Sequence, residues 1–519
     1  MTPDRPKRWP LILALVLLFL FSYANQLTFR YLVPPGGDAV NHNKLVLQIL
    51  AGDYQAVLNY HFIWHFLVAG ISQLTGTLTI VVMAWLAPLL LVSGGLMLYV
   101  FNRRFFGAVA GLTSLILIGF LSFQPMQTLY DGGFPNVLAA ATVLPLVFIA
   151  LEQALSGKRK WLSVPLFLVS LLVLLYSHHL TTLYALVIIA IYLIIQLLIY
   201  LNRRRFPWPL VLLVVPVLYG LFLLGVKLFL RLGGTSSEAL AAQVVALNSR
   251  FPFLHFTGRL DNPNALLDIQ SYPLAIGEAV VWLSVSGAVV ALIYFIKDAV
   301  SQKGRISLLL LIWAAVLLWG SQTPGLGFPV RLARDLAIPL ALLGGLFLQG
   351  VWDFSQARRL PKIFPWLIII LSLSLGWLVF SERWQLSRSP NSLVYHLPAD
   401  TQMVDYINQN LPPQSFIAVF QDDVYLPLFV RDQRVSAEIS DGVKMEITNP
   451  KKIAEFLPGA DYIYFEYRPD RPDSWNNNRA NLNSYLASDQ VSLVTKVITD
   501  EKEVYLFKVV KPAAAREDS

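Results

Sequence analysis

Between Trp9 and Phe380 the apolar residues fall into eleven long runs, and the polar residues between those runs are sorted by charge. A membrane-crossing helix needs roughly 20 mainly apolar residues. The pattern therefore predicts spans near 9–32, 77–101, 105–122, 135–155, 161–176, 180–201, 208–231, 275–296, 306–320, 336–352 and 363–380. Arg5, Lys7 and Arg8 precede the first run. The even-numbered gaps hold Arg103 and Arg104; Lys158, Arg159 and Lys160; Arg203 to Arg205; Lys297, Lys303 and Arg305; and Arg358, Arg359 and Lys362, so seventeen basic residues share one side. The odd-numbered gaps are longer yet hold only seven: Arg30, Lys44, Arg231, Arg250, Arg259, Arg331 and Arg334. Lys and Arg in short loops mark the cytoplasmic side. The amino terminus is thus expected in the cytoplasm of a multi-pass cell-membrane protein, and an odd number of crossings puts the chain beyond Ser381 outside.

Two external loops are long, 33–76 and 233–274. The first carries an amphipathic stretch, Tyr60 to Leu74, suited to lie along a membrane surface. The second opens with Thr235-Ser236-Ser237-Glu238, a capping box ahead of an alanine-rich helix, and its length suits a lid. Leu11 to Tyr23 has the character of a signal peptide, but no small-residue cleavage site follows and further spans do, so it is expected to be retained. Beyond Trp384 the period changes. Helices are expected at Asp400–Leu411, Pro450–Leu457 and Asn478–Leu486, and strands at Ser415–Phe420, Asp461–Tyr467, Val491–Thr499 and Val504–Val510. The expected architecture is a polytopic α-helical membrane domain of about eleven transmembrane helices at 1–380, followed by an extracytoplasmic α/β domain at 381–519.

Charge and composition fit that division. Apolar residues make up 56% of the chain and charged residues 14%, where a soluble domain carries roughly 25% charge. The net charge of +8 is uneven: from Ser381 onward there are 15 basic and 20 acidic residues, which leaves the membrane part 25 against 12. The surplus follows the cytoplasmic gaps, so it points to the lipid bilayer and not to nucleic acid. The chain has no cysteine, which removes disulfides, thiolate metal sites and cysteine nucleophiles.

Topology directs the search for chemistry outward. The seven histidines, His42, His61, His65, His178, His179, His255 and His396, all fall in external segments or at outer span ends, as do most acids of the membrane half. Just after the first span stands Pro34-Pro35-Gly36-Gly37-Asp38-Ala39-Val40-Asn41-His42. If a helix starts there, Asp38 is its cap or first turn and His42 follows on the same face, so the pair could share a proton or a divalent metal ion. Capping alone would also explain Asp38.

An acid in the first external loop, about a dozen helices, long external loops and an outer carboxy-terminal domain together resemble the GT-C membrane glycosyltransferases. That resemblance covers nearly the whole layout and implies a sugar donor carried on a polyprenyl phosphate or pyrophosphate. It makes Asp38 a catalytic residue, a general base or a metal-associated acid. The chain departs from the Asp-Glu pattern of protein O-mannosyltransferases, because Ala39 follows Asp38, and it has neither Trp-Trp-Asp-Tyr-Gly nor Asp-x-Asp. Metal dependence is therefore left open, and no other cofactor is implied.

Three further clusters complete the candidates. Tyr130-Asp131-Gly132-Gly133-Phe134-Pro135-Asn136 contains a turn-forming pair of glycines that would bring Asp131 under the first loop; by the same resemblance Asp131 is the second catalytic acid, and otherwise it is a polar turn residue. Ser177-His178-His179-Leu180-Thr181-Thr182 lies between two apolar runs, where polar groups line a cavity or cap helices. Arg331 and Arg334 stand three apart before the tenth span, and guanidinium groups match phosphate oxygens in a bidentate fork. His42, His61, His178, His179, Arg331 and Arg334 are accordingly taken as substrate-binding residues. The expected activity is transfer of a hexosyl or pentosyl group from the lipid-linked donor to a glycan, lipid or protein acceptor of the cell envelope. A polysaccharide polymerase or ligase, relying mainly on arginines, is the first alternative, and a membrane transporter, with functional charges near mid-bilayer, is the second.

Overall fold

Straight-chain and β-branched apolar residues in runs of this length satisfy their backbone only as helices when water is absent. The computed structural model describes residues 9–28, 38–54, 62–130, 132–156, 160–202, 272–322, 329–361, 363–387, 398–419, 433–435, 446–469, 478–500 and 502–510. These divide into two units, one formed by Met1–Ala24, Leu45–Leu129 and Gly133–Ser387, the other by Asn25–Lys44, Tyr130–Gly132 and Arg388–Ser519.

The helices in chain order are α1 (Trp9–Thr28), α2 (Asp38–Leu50), α3 (Phe62–Thr75), α4 (Thr79–Phe105), α5 (Ala108–Phe120), α6 (Met126–Tyr130), α7 (Phe134–Ser156), α8 (Lys160–Ser177), α9 (His179–Asn202), α10 (Tyr272–Ile276), α11 (Glu278–Lys297), α12 (Gln302–Ser321), α13 (Pro329–Asp335), α14 (Ala337–Ala357) and α15 (Ile363–Ser387). Among the described residues six helices are long and apolar enough to cross a membrane: α4, α7, α9, α11, α12 and the continuous α13–α14 segment Pro329–Ala357. Four more predicted runs appear as shorter apolar helices, Trp9–Tyr23, Ala108–Phe120, Trp161–Ser177 and Pro365–Trp377. The predicted span 208–231 and the long loop 233–274 lie outside the described residues. The amphipathic stretch of the first loop is the helix α3, with Trp64, His65, Val68, Ala69 and Ser72 on its buried face.

Small residues set how closely these helices pack, as is usual where lipid supplies no hydrophobic drive between them. A Cβ added at Gly287 of α11 would stand 1.9 Å from the carbonyl oxygen of Leu343 on α14, and one at Gly345 would stand 2.1 Å from Ser114 Oγ on α5. In α7 a π-helical turn, Leu138–Val143, buries a run of alanines, and Gly94 of α4 meets Ala141 there. Ser93 of α4 and Thr142 of α7 meet at 2.9 Å midway along the bundle, and the contacts of larger polar side chains described next sit toward its ends. At the end carrying the basic turns, Asn102 donates to Ser114 Oγ at 2.6 Å and to the Leu342 carbonyl at 2.8 Å, tying α4, α5 and α14 together. There too the buried Arg305 of α12 pairs with Glu152 of α7, which also accepts from Tyr192 of α9 at 3.4 Å.

The carboxy-terminal part of the second unit is a mixed sheet. It comprises α16 (Pro398–Asn410), β1 (Phe416–Val419), β2 (Arg434–Val435), α17 (Ile453–Phe456), β3 (Tyr462–Tyr467), α18 (Arg479–Leu486), β4 (Val491–Ile498) and β5 (Glu503–Val509). The strand order is β2-β1-β3-β5-β4, with β1 parallel to both neighbours and β5 antiparallel to β3 and β4. Every expected strand and helix of this region is present within a few residues; β2 was not expected. One face packs Met403, Val404 and Ile407 of α16 on Ile417, Tyr464 and Leu506. The other packs Leu482 and Tyr485 of α18 on Ile463, Phe465 and Phe507. Lys502, 1% exposed, forms ion pairs with Asp400, at 2.8 Å, and with Glu466. Arg479 grips Glu503 with two bonds of 3.0 and 2.8 Å and stacks 4.2 Å from the Tyr467 ring.

Two outcomes follow from this packing. Overpacking costs about 1–3 kcal/mol, so Gly287→Ala lowers the thermal midpoint of the detergent-solubilised protein, whereas Gly350→Ala, whose Cβ would meet only Val290 at 3.6 Å, leaves it near wild type. Burial by itself would raise the Glu503 carboxyl, but the hydrogen bonds from Arg479 and Tyr505 outweigh it and hold the group below its ordinary 4.5. A carboxyl lowered on folding stabilises above its unfolded value, and that contribution disappears as pH falls through the lower folded one. Protection factors of the amides in β4 and β5, with intrinsic exchange at each pH divided out, therefore fall below about pH 4.5 in the wild type, and Glu503→Gln flattens that acid dependence.

Candidate functional site

The break between α8 and α9 falls on His178, whose Nδ1 accepts the backbone N–H of Thr181 at 3.3 Å and lies 2.8 Å from Thr181 Oγ1. The imidazole thereby caps α9 in the way a Ser or Asp side chain would. His179 enters the first turn of α9 and is half-buried, so the adjacent histidines have separate surroundings. Thr181 Oγ1 also reaches Asn136 Oδ1 of α7 at 3.3 Å. The Asn136 amide in turn donates to Asp335 Oδ1 of α13 at 3.0 Å, and Tyr184 of α9 donates to Asp335 Oδ2 at 3.0 Å. Asn136, His178, Thr181, Tyr184 and Asp335 are all buried.

Three of the four sequence clusters thus meet through side chains at one end of the membrane unit, opposite the Glu152–Arg305 pair. Pro329 and the residues after it form the helix α13, which joins α14 through Leu336, so Arg331 and Arg334 are helical and continuous with the span expected to begin after them. Leu332 and Ala333 are buried, while Arg331 is exposed and Arg334 half-buried. Nearby, Tyr272 of α10 lies 2.5 Å from Ser321 Oγ and accepts from Gln322 at 2.6 Å, closing the end of α12.

The first cluster belongs to the second unit. The helix α2 begins at Asp38, as expected, with Asp38 exposed and His42 buried. Gly132, at φ +89°, approaches it so closely that a Cβ would stand 2.3 Å from the Ala39 backbone nitrogen and 2.9 Å from the Asp38 carbonyl carbon. Only glycine tolerates both that dihedral and that approach. The turn following Asp131 therefore does lie against the start of the first-loop helix. Asp131 itself, His61 and Gly325 to Phe328 lie outside the described residues. Among the described residues no group of three or more His, Cys, Asp or Glu side chains is placed to hold a metal ion.

Tyr184 was missed from the sequence, and Asp335 was noticed only as a neighbour of Arg334. The available signal was the three-residue spacing of His178, Thr181 and Tyr184, which sets polar groups one above another on an apolar helix.

No family model and no curated protein matches the chain. Solved structures do. The oligosaccharyltransferase of Archaeoglobus fulgidus in its apo form aligns over 89% of this chain and 70% of its own length, at 14% identity and a TM-score of 0.58; the same protein has been solved in complex with Zn and sulfate. The arabinofuranosyltransferase AftD from Mycobacteria aligns over 98% of this chain at 14% identity and a TM-score of 0.55, but this chain spans only 40% of it. ArnT from Cupriavidus metallidurans, bound to undecaprenyl phosphate, aligns over 95% of this chain and 97% of its own, at 14% identity and a TM-score of 0.52. The chain has the fold of the GT-C membrane glycosyltransferases.

Proposed function

We propose that the protein transfers a sugar from a polyprenyl-phosphate-linked donor to an acceptor at the outer face of the cell membrane. The observation that carries this reading is the placing of Arg331 and Arg334 on a helix anchored at the bundle end opposite the basic turns. Undecaprenyl phosphate is the ligand of the ArnT structure that shares this fold, and a carrier of that kind presents its phosphate at the membrane surface, within reach of such a helix. Asp38, exposed in the first turn of α2, suits a base that takes the proton of the acceptor hydroxyl. The acceptor oxygen then bonds to the anomeric carbon as the bond from that carbon to the phosphate oxygen breaks. The carrier phosphate leaves with the electron pair, and Arg331 and Arg334 stabilise its charge. Asp131 is the second acid in this scheme, and His42, His61, His178 and His179 contribute to binding the sugar or acceptor. The carboxy-terminal domain lies outside, on the side of the first loop.

Transfer is measured with lipid donor varied at fixed acceptor. Asp38→Asn loses about a hundredfold or more in rate with little change in donor KM, because the proton acceptor goes while the size stays. Arg331→Lys keeps the charge and loses the fork, so it raises donor KM or lowers kcat and leaves acceptor KM alone. Near-wild-type kinetics for Asp38→Asn would return that residue to helix capping, and normal donor kinetics for both Arg→Ala variants would remove the phosphate from α13.

A reporter active only in the cytoplasm, fused after Val510, stays silent if the carboxy-terminal domain is external. A signal there would reverse the assigned topology.

A further inference from the structure

Asp335 is a buried acid that the transfer chemistry above does not use. It ends α13, four residues after Arg331 and next to Arg334, and is 5% exposed. Its two carboxylate oxygens are both engaged, one by the Asn136 amide of α7 and the other by the Tyr184 hydroxyl of α9, each at 3.0 Å. A general base needs a lone pair that the acceptor hydroxyl can reach. Asp335 has its oxygens turned into the helix bundle, so its position excludes it from that part. What it does hold is the junction at which α13 runs through Leu336 into the span α14. Leu332 and Ala333 bury one side of α13. The two bonds at Asp335 fix its end against two different spans.

We infer that Asp335 is the positioning residue of the donor site: its bonds to Asn136 and Tyr184 set the rotation of α13 and with it the direction in which Arg331 and Arg334 face the carrier phosphate. This rests on the assignment of those arginines to the phosphate. Asn136 lies in the first turn of α7, so the anchor ties α13 to the start of that span. Asn136 is itself held in register, since Thr181 supplies the donor for its Oδ1 and so leaves the amide nitrogen pointing at Asp335.

The arrangement permits a swap. Asn136→Asp sets two carboxylates face to face across the 3.0 Å contact. Adding Asp335→Asn restores the pair with its polarity reversed, the amide at position 335 donating to the carboxylate at position 136 while its oxygen still accepts from Tyr184. Binding of undecaprenyl phosphate to the purified full-length protein in detergent, followed by native mass spectrometry, reads the effect, and the thermal midpoint is taken in parallel. Asn136→Asp weakens affinity by about tenfold or more, the scale of one hydrogen bond to a charged group, and the double variant recovers most of it. Tyr184→Phe, which deletes one hydroxyl and folds in the same space, gives a several-fold loss.

Wild-type affinity in both Asn136→Asp and Tyr184→Phe, beside a loss in Arg331→Ala with Arg334→Ala, overturns the positioning role and leaves the phosphate assignment standing. Wild-type affinity in the arginine variants overturns both. A double variant that melts like the wild type yet binds no better than Asn136→Asp also overturns the inference, since pairing would then have been restored without effect. If Asn136→Asp does not fold, Tyr184→Phe alone decides: unchanged affinity refutes the anchor, and a loss at an unchanged melting midpoint supports it.

Discussion

Hydrocarbon offers a buried polar atom no partner, so a membrane protein must close its polar contacts internally. The described part of the membrane unit meets that constraint by segregation. Midway along the helices, Gly94 against Ala141 and Gly287 against Leu343 bring backbones together, and the small hydroxyls of Ser93 and Thr142 satisfy each other at 2.9 Å beside the first of these contacts. The strong polar contacts lie toward either end: Glu152 with Arg305 and Tyr192 at one, and Asn136 with Asp335, Tyr184 and Thr181 at the other. Gln196, buried with no hydrogen-bond partner for its amide, is an exception. The larger buried polar side chains are thereby gathered at the two ends of the described helices.

The two ends differ in kind. The Glu152–Arg305 pair joins opposite charges that are both buried, and Arg305 also donates to the Val300 carbonyl at 2.6 Å, so the pair finishes a turn. At the other end the buried group is an acid held by an amide and a phenol, while the arginines of the same helix remain at or near the surface. A closed pair suits a structural joint, whereas cations near the surface at the start of an anchored span suit ligand contact.

Much of this was legible in the sequence. Runs of apolar residues marked ten of the described helices because length and hydropathy are local properties, and alternation marked β3, β4 and β5 for the same reason. The start of α2 at Asp38 was readable from Pro-Pro-Gly-Gly before it, and the close approach of Gly132 from the glycine pair. Other features depended on partners far apart in the chain. Asn136 and Asp335 are separated by 199 residues, and nothing in either local pattern announces the other. Tyr184 looked like one more aromatic in an apolar run. The strand β2 has only two residues, Arg434 and Val435, too few to show a period. The π-helical turn after Asn136 adds a residue to an otherwise ordinary alanine run, a shift that spacing alone does not reveal.

The buried lysine of the carboxy-terminal sheet has a consequence for how that domain is made. Lys502 stands just before β5, while its partners Asp400 and Glu466 lie in α16 and β3. The strand β5 is itself inserted between β3 and β4. Until the residues beyond 500 have left the ribosome, β3 lacks a neighbour on one side and two carboxylates that will be buried lack their cation. Synthesis can collect the helices and the first strands in order, but the domain closes only when its last strand arrives, so a chain stalled short of that point exposes both an open sheet edge and unpaired acids to quality control.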